Sequence, residues 1–360
     1  MSGWTLQPAT GTTNLKTLTK VSDLEWWMAC RTLGVRHSVD GMQTWVAENA
    51  GLVTGADCTE VYNTAYGPIL MTVTGVYCRV GGSWVKSLAP VSTSGCLVER
   101  AGELIVMSLT SGLGWRTFAS LDGGGSFFMR AIAAVFFGIG GNLFLDSLGR
   151  IWVTSEADGT WRSLDGGVTF QRTNTLQQGQ VCNGPGFWET PNGTILYFGQ
   201  AHIYRWDEAT KVWGLSQTGW VDADTMTRAM NVGNSVYIAT EHARNGVYRS
   251  TDQGLTWAPY NEVPPPIAQS NVATARYYGL RLLIDGRLVI ALRGGQIYKS
   301  VDPVSEVNIP PPPPPPPSVF TVTVEGNVHF TGGVGPTHDG FEYENGTATD
   351  LDAYVAAHYL

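Results

Sequence analysis

Ser163-Leu164-Asp165-Gly166-Gly167-Val168-Thr169-Phe170 decides the fold, because the chain repeats it. It returns as Ser38-Val39-Asp40-Gly41-Met42-Gln43-Thr44-Trp45, as Ser120-Leu121-Asp122-Gly123-Gly124-Gly125-Ser126-Phe127, and as Ser250-Thr251-Asp252-Gln253-Gly254-Leu255-Thr256-Trp257. The shared pattern is Ser-x-Asp-x-Gly-x-Thr-Trp with small variations. Asp and Gly between β-prone stretches mark a tight hairpin turn, with Gly supplying a positive φ. The Asp carboxylate can cap backbone N–H groups of its own turn. The Thr is expected to start the next strand, and the aromatic residue to pack beneath the hairpin.

The spacing extends the pattern to worn copies at Gly82-Ser83-Trp84 and at Tyr204-Arg205-Trp206-Asp207 leading to Val212-Trp213. Trp45, Trp84, Phe127, Phe170, Trp213 and Trp257 are separated by 39, 43, 43, 43 and 44 residues. That is the period of a four-stranded propeller blade. A last copy begins at Tyr298-Lys299-Ser300-Val301-Asp302 and stops. The strand it lacks is expected at the other end of the chain, in Ser2-Gly3-Trp4-Thr5-Leu6. Closing the ring this way removes the exposed edges of an open sheet. Residues 1–305 therefore read as an all-β, seven-bladed propeller closed by the N-terminal strand.

The four repeats closely resemble the Asp-box, or BNR repeat, of β-propellers such as sialidases, xyloglucanases and sortilin-type receptors. In that family the box residues sit at the blade periphery and serve the fold. The resemblance therefore assigns Asp40, Trp45, Asp122, Phe127, Asp165, Phe170, Asp252 and Trp257 structural roles. It does not imply catalysis, since enzymes and non-enzymes share the repeat.

Composition narrows the function. The net charge is −8, with 22 Lys and Arg against 30 Asp and Glu, which argues against a nucleic-acid partner. No stretch is long and apolar enough to cross a membrane, and Ala131 to Phe137 reads as a buried strand by length. The N-terminus shows no basic region followed by an apolar run, so the expectation is a chain made in a host cytoplasm without an export signal. Five cysteines without Cys-x-x-Cys spacing read as free, buried thiols.

After the propeller the composition changes abruptly. Pro310 to Pro317 is an unbroken run of eight prolines, a polyproline II rod of about 25 Å at roughly 3.1 Å per residue. Residues 306–318 read as this linker and 319–360 as a small C-terminal module. Phe320-Thr321-Val322-Thr323-Val324 and Val328-His329-Phe330 suit a hairpin, and Leu351, Tyr354, Val355, His358 and Tyr359 share a helical face. A unit this small needs self-association or a partner. Its His329, His338 and His358 are weak metal candidates, because their spacing fits no ligand motif; no metal or cofactor is expected.

Catalytic signatures are sparse. The Phe/Tyr-Arg-Ile-Pro motif of sialidases is absent. Glu60 and Tyr62 stand two apart on a predicted inner strand, with Arg31, Arg228 and Arg276 elsewhere. A glycosidase needs two opposed carboxylates, for which Asp222, Asp224, Glu60 and Glu189 are weak candidates. Asp222 and Asp224 follow Trp220, joining an aromatic platform to two acids. The plainer reading of these side chains is a solvated blade rim. Sugar binding needs less, an aromatic face and a few polar groups, which Trp26, Trp27, Trp188, Trp220, Tyr277 and Tyr278 supply, with Arg228 and Arg276 for anionic sugars.

The layout, a propeller, a rod and a tail too small to stand alone, is similar to that of bacteriophage tail-tip, fibre or spike proteins. The resemblance implies a virion protein for host-surface or glycan recognition. Its partners would be other tail proteins and a surface glycan or outer-membrane receptor, and it would oligomerise or dock through the C-terminal module. A glycoside hydrolase or depolymerase, and a purely protein-binding scaffold, are the alternatives.

Overall fold

The computed structural model describes residues 4–8, 14–54, 56–88, 96–110, 114–133, 143–155, 159–173, 186–199, 202–216, 218–220, 226–240, 247–260, 277–292 and 294–304. The chain divides into two units, Met1–Pro310 and Pro311–Leu360. The hairpin and helix expected in 319–360, with His329, His338 and His358, lie outside the described residues, as does the proline run.

The described residues form seven antiparallel four-stranded sheets and no helix. Blade 7 takes both the first and the last of the described strands, with β1 (Trp4–Leu6) as its outermost strand. Blade 1 holds β2 (Leu15–Lys20), β3 (Trp26–Cys30), β4 (Gly34–Ser38) and β5 (Val46–Ala47), and blade 2 holds β6 (Cys58–Thr64), β7 (Gly67–Thr72), β8 (Gly75–Val80) and β9 (Ser83–Leu88). Blade 3 holds β10 (Cys96–Arg100), β11 (Glu103–Thr110), β12 (Gly114–Ser120) and β13 (Phe128–Ala133), and blade 4 holds β14 (Leu143–Leu145), β15 (Ile151–Ser155), β16 (Gly159–Ser163) and β17 (Gln171–Arg172). Blade 5 holds β18 (Phe187–Glu189), β19 (Ile195–Phe198), β20 (Ile203–Asp207) and β21 (Val212–Leu215), and blade 6 holds β22 (Met226–Val232), β23 (Ser235–Thr240), β24 (Val247–Ser250) and β25 (Ala258–Pro259). The remaining strands of blade 7 are β26 (Tyr277–Leu282), β27 (Leu288–Leu292) and β28 (Ile297–Ser300). β28 pairs with β1 in the register Trp4 to Ser300, Thr5 to Lys299 and Leu6 to Tyr298. The fold is a seven-bladed β-propeller closed by its N-terminal strand.

Because each blade is buried on both faces, alternate residues of one strand feed two different interfaces. On β3, Trp26, Met28 and Cys30 pack with Val289, Ala291 and Ile297 of blade 7. Trp27 and Ala29, pointing the other way, pack with Cys58, Val61 and Tyr77 of blade 2. The core is divided in this way into seven clusters, one at each blade junction. The junction of blades 4 and 5 is the most aromatic. There Trp152 is fully buried, packs against Phe187, Trp206 and Trp213, and donates its indole N–H to the buried Asp146 at 2.7 Å. Near the axis, blades 7 and 1 approach so closely that a Cβ on Gly279 would lie 2.9 Å from that of Leu18.

Each Ser-x-Asp repeat joins the third strand of its blade to the fourth, with one hydrogen-bond plan. In the third copy Ser163 donates its hydroxyl to Asp165 at 2.8 Å and accepts the Gly167 N–H at 2.8 Å. Asp165 also accepts the backbone and hydroxyl of Thr169 at 2.9 and 2.6 Å. Asp40, Asp122 and Asp252 repeat the plan with Thr44, Ser126 and Thr256. Two successive residues have positive φ in every copy, for example Gly123 at 69° and Gly124 at 90°. The fourth strand begins after the aromatic residue, at Val46, Phe128, Gln171 and Ala258. The Thr therefore belongs to the turn rather than to the strand, because the Asp holds both of its donors. The worn copies differ: blade 2 turns tightly through Gly81-Gly82, and blade 5 through residues 208–211.

Two further expectations meet the structure. Cys30, Cys58, Cys78 and Cys96 are buried in strands and form no disulfide among the described residues, while Cys182 lies outside the described residues. Ala131–Ala133 close the outermost strand β13, where Ala131 is only half-buried and Phe128 and Met129 are exposed. Residues 134–137 of that apolar run lie outside the described residues.

Two outcomes are expected. Trp152→Ala should cost about 3–5 kcal/mol in a denaturant melt, from the cavity and from the lost indole bond to Asp146, which keeps Arg150 as a partner. The hydrogen bonds from Thr44 and Ser126 hold the Asp40 and Asp122 carboxyls down at about 2, below the usual 3.8. A depressed carboxylate stabilises the fold above its unfolded pKa and stops doing so as pH falls through the folded one. The melting temperature should therefore fall between about pH 4 and pH 2, and an Asp40→Asn/Asp122→Asn variant should show a lower plateau and a shallower fall. An unchanged slope would refute the role of these two turns.

Candidate functional site

The first strands of the blades, β2, β6, β10, β14, β18, β22 and β26, surround the propeller axis. Four of them carry a register shift near their leading ends, between Leu15 and Thr17, Cys58 and Glu60, Met226 and Arg228, and Tyr277 and Gly279. A bulge re-aims the side chains that follow it. Glu60 and Arg228 stand immediately after theirs, and both line a cavity of about 390 Å³ in the channel. Tyr62, Phe144, Trp188 and Arg281 complete its functional lining, on a floor that includes Leu143, Phe187 and Met230.

The polar groups converge. Tyr62 donates its hydroxyl to Glu60 Oε2 at 2.9 Å, and Arg228 Nη2 lies 3.4 Å from Glu60 Oε1. Arg281 donates only to the Leu280 carbonyl, at 2.9 Å, among the hydrogen bonds of the described residues. Burial, and then the charge of Arg228, pull the Arg281 guanidinium down to about 10, against the opposing pull of Glu60. It remains a cation at neutral pH. Burial and the adjacent Glu60 push the Tyr62 hydroxyl well up, so it is a donor and not a phenolate. Among the described residues the cavity lining thus holds two guanidiniums and one carboxylate. Trp188 supplies a half-buried ring pinned by its indole N–H to Asn231 Oδ1 at 2.8 Å, and Asn231 in turn donates to the Glu189 carbonyl at 2.9 Å.

The structure gathers Glu60, Trp188 and Arg228 of the sequence candidates and disperses others. Trp26 and Trp27 are core residues, not sugar platforms: Trp26 is fully enclosed with its N–H on the Asp23 carbonyl, and Trp27 is sandwiched with His37 at a centroid distance of 3.8 Å. Trp220 lies tilted against Tyr248 at 4.3 Å, away from the channel lining. Glu189 is turned to Ser147, accepting its N–H at 2.7 Å and its hydroxyl at 2.6 Å, so it does not oppose Glu60. Asp222, Asp224 and Arg276 lie outside the described residues, and of Tyr277 and Tyr278 only the backbone, on β26, is described. Arg281 and Phe144 escaped the sequence reading. Arg281 was legible in principle as a lone charge between Leu280 and Leu282 on an inner strand. Among the described residues no cluster of three His, Cys, Asp or Glu side chains could hold a metal ion.

The architecture defines the class as a β-propeller, and solved structures share it. The chain aligns over 84% of its length with 96% of YCF48 in a structure bound to D1 peptide, at 15% identity and a TM-score of 0.63. It aligns over 83% of its length with 99% of virginiamycin B lyase from Staphylococcus aureus, at 12% identity and a TM-score of 0.66. YCF48 from Cyanidioschyzon merolae aligns over 98% of its own length and 82% of this chain, at 11% identity and a TM-score of 0.59. At these identities the likeness is one of fold. No protein-family model matches the sequence, and no curated protein matches it.

Among the described residues Glu60 is the only carboxylate lining the cavity. Glu60→Gln should therefore lower stability by about 1–2 kcal/mol at low ionic strength. Added sulfate should recover much of the loss in a thermal melt by standing in between the two arginines. A loss that sulfate leaves untouched would show that the arginines do not share this site.

Proposed function

We propose that this chain is a recognition protein of the Asp-box type whose channel receives an acidic sugar on a cell-surface glycan. The observation that carries the reading is the convergence of Arg228 and Arg281 on a cavity whose described lining has one carboxylate and a pinned indole ring. A half-buried cation without a carboxylate partner favours a ligand that brings one. The Trp188 ring offers the apolar face on which a pyranose stacks. The sequence layout supports the wider context, a bacteriophage virion in which the propeller is presented to the host surface and other tail proteins are its partners.

One observation favours glycoside hydrolysis as the second reading. The Tyr62–Glu60 pair resembles, in residue type, the nucleophile pair of sialidases. Two features weigh against it. The Tyr62 hydroxyl is pushed up rather than down, and among the described residues no second acid joins Glu60 in the cavity lining.

A panel of acidic and neutral surface glycans, scored for retention of the protein and for release of reducing ends, tests both. Retention on acidic glycans without release is the expected result. Trp188→Ala and Arg281→Gln should each weaken it by about tenfold or more. Release of sugar would install the hydrolase reading, and retention indifferent to both substitutions would remove the channel from the account.

A further inference from the structure

The turns that join first to second strands and third to fourth strands emerge on one face of the propeller, since the strands of each blade alternate in direction. The cavity takes the first residues of β10, β14 and β18, which lie toward the opposite face. The turn face carries a recurrent oddity. The second position of the Ser-x-Asp turn is an exposed apolar residue in four blades: Val39, Leu121, Leu164 and Val301. The partner turns on the same face add Leu24, Tyr66, Leu148 and Ile284, with Leu121, Leu148 and Ile284 exposed by 69, 72 and 87%. At roughly 100 Å² for each such side chain, the ring offers on the order of 800 Å², the size of one partner's share of a standard interface.

These side chains do not sit on slack loops. Tyr66 donates to the Gly102 carbonyl of the next blade at 2.5 Å, Arg100 to Gly149 at 3.1 Å, Arg130 to Gly166 at 2.9 Å, and the Ile284 N–H to Asp23 at 2.9 Å. These bonds cross three blade junctions and tie turns of this face to the neighbouring blade, so part of the ordering cost of an interface is met in advance. Each apolar residue of the repeat also precedes a carboxylate, as in Val39-Asp40, Leu121-Asp122, Leu164-Asp165 and Val301-Asp302. The first three of these carboxylates are held ionised by their own turns.

We propose that this face docks a protein partner whose contact surface is both basic and apolar. Lys and Arg suit it doubly, because their methylene stems lie along a leucine while their heads reach the adjacent Asp. A second copy of this chain does not suit it. Two such faces would set carboxylates against carboxylates on chains of net charge −8. The site is separate from the channel and does not depend on what the channel binds.

The test uses the full chain and two fluorescent amphipathic peptides of one pattern, one of Leu and Lys and the other of Leu and Glu. Anisotropy should show binding of the Leu/Lys peptide at least tenfold tighter than the Leu/Glu peptide. Leu121→Ser/Leu148→Ser/Leu164→Ser, which keeps every charge, should weaken it by about tenfold. Hydroxyl-radical footprinting of the unaltered chain should show Leu121, Leu148 and Leu164 protected by the Leu/Lys peptide, a readout that survives if the triple variant fails to fold. Equal affinity of the triple variant, protection confined to the channel, or a dimer in sedimentation that the three substitutions abolish would each overturn the proposal.

Discussion

Three residue pairs between β1 and β28 turn a row of sheets into a ring, and every other junction depends on that closure. Without them blade 7 would present the third strand's bare edge. The Gln7 N–H, bonded to the Ile297 carbonyl at 2.8 Å, extends the seam by one more bond. Closure presses blade 7 against blade 1, where Gly279 admits Leu18 and where Lys20 reaches the Leu282 carbonyl at 2.6 Å. The core is not one body that could survive the loss of a wall. It is seven slabs, each held between two blades.

This division gives the two faces of the ring different work. Ser-x-Asp turns spend their polar groups on themselves, so the fold needs nothing from the residue at their second position. That residue is left to face outward. In the channel the opposite holds. The inner strands are spaced by their neighbours, and bulges near their leading ends turn Glu60 and Arg228 toward the axis. The same scaffold thus carries a charged concave site and a flat amphipathic one without either constraining the other.

The blade count was legible because the Ser-x-Asp turn is a local device: an Asp, a Gly and an aromatic residue at fixed spacing do the same job wherever they occur. The closure by Trp4–Leu6 followed from a count that came up one strand short. The channel was less legible, for a physical reason. Strand alternation tells which residues share a face only until a bulge shifts the parity, and the bulges at Thr59 and Thr227 have no signature in residue type. Trp26 and Trp27 illustrate a second limit. Adjacent tryptophans suggest one exposed platform on a surface strand, yet in a blade buried on both sides they point into two separate junctions. Glu189 was a credible acid by position, and only its bonds to Ser147 show it occupied.

The seam between β1 and β28 also sets an order of events. Residues nearly three hundred apart in sequence must meet before the ring exists, a separation that slows folding. During synthesis the first strand has no partner until blade 7 has been made, so the six earlier blades must stand as an open arc. A latch of three residues is also the place where the finished ring would first come apart. Anything fused ahead of Trp4 would act on that latch rather than on an idle terminus.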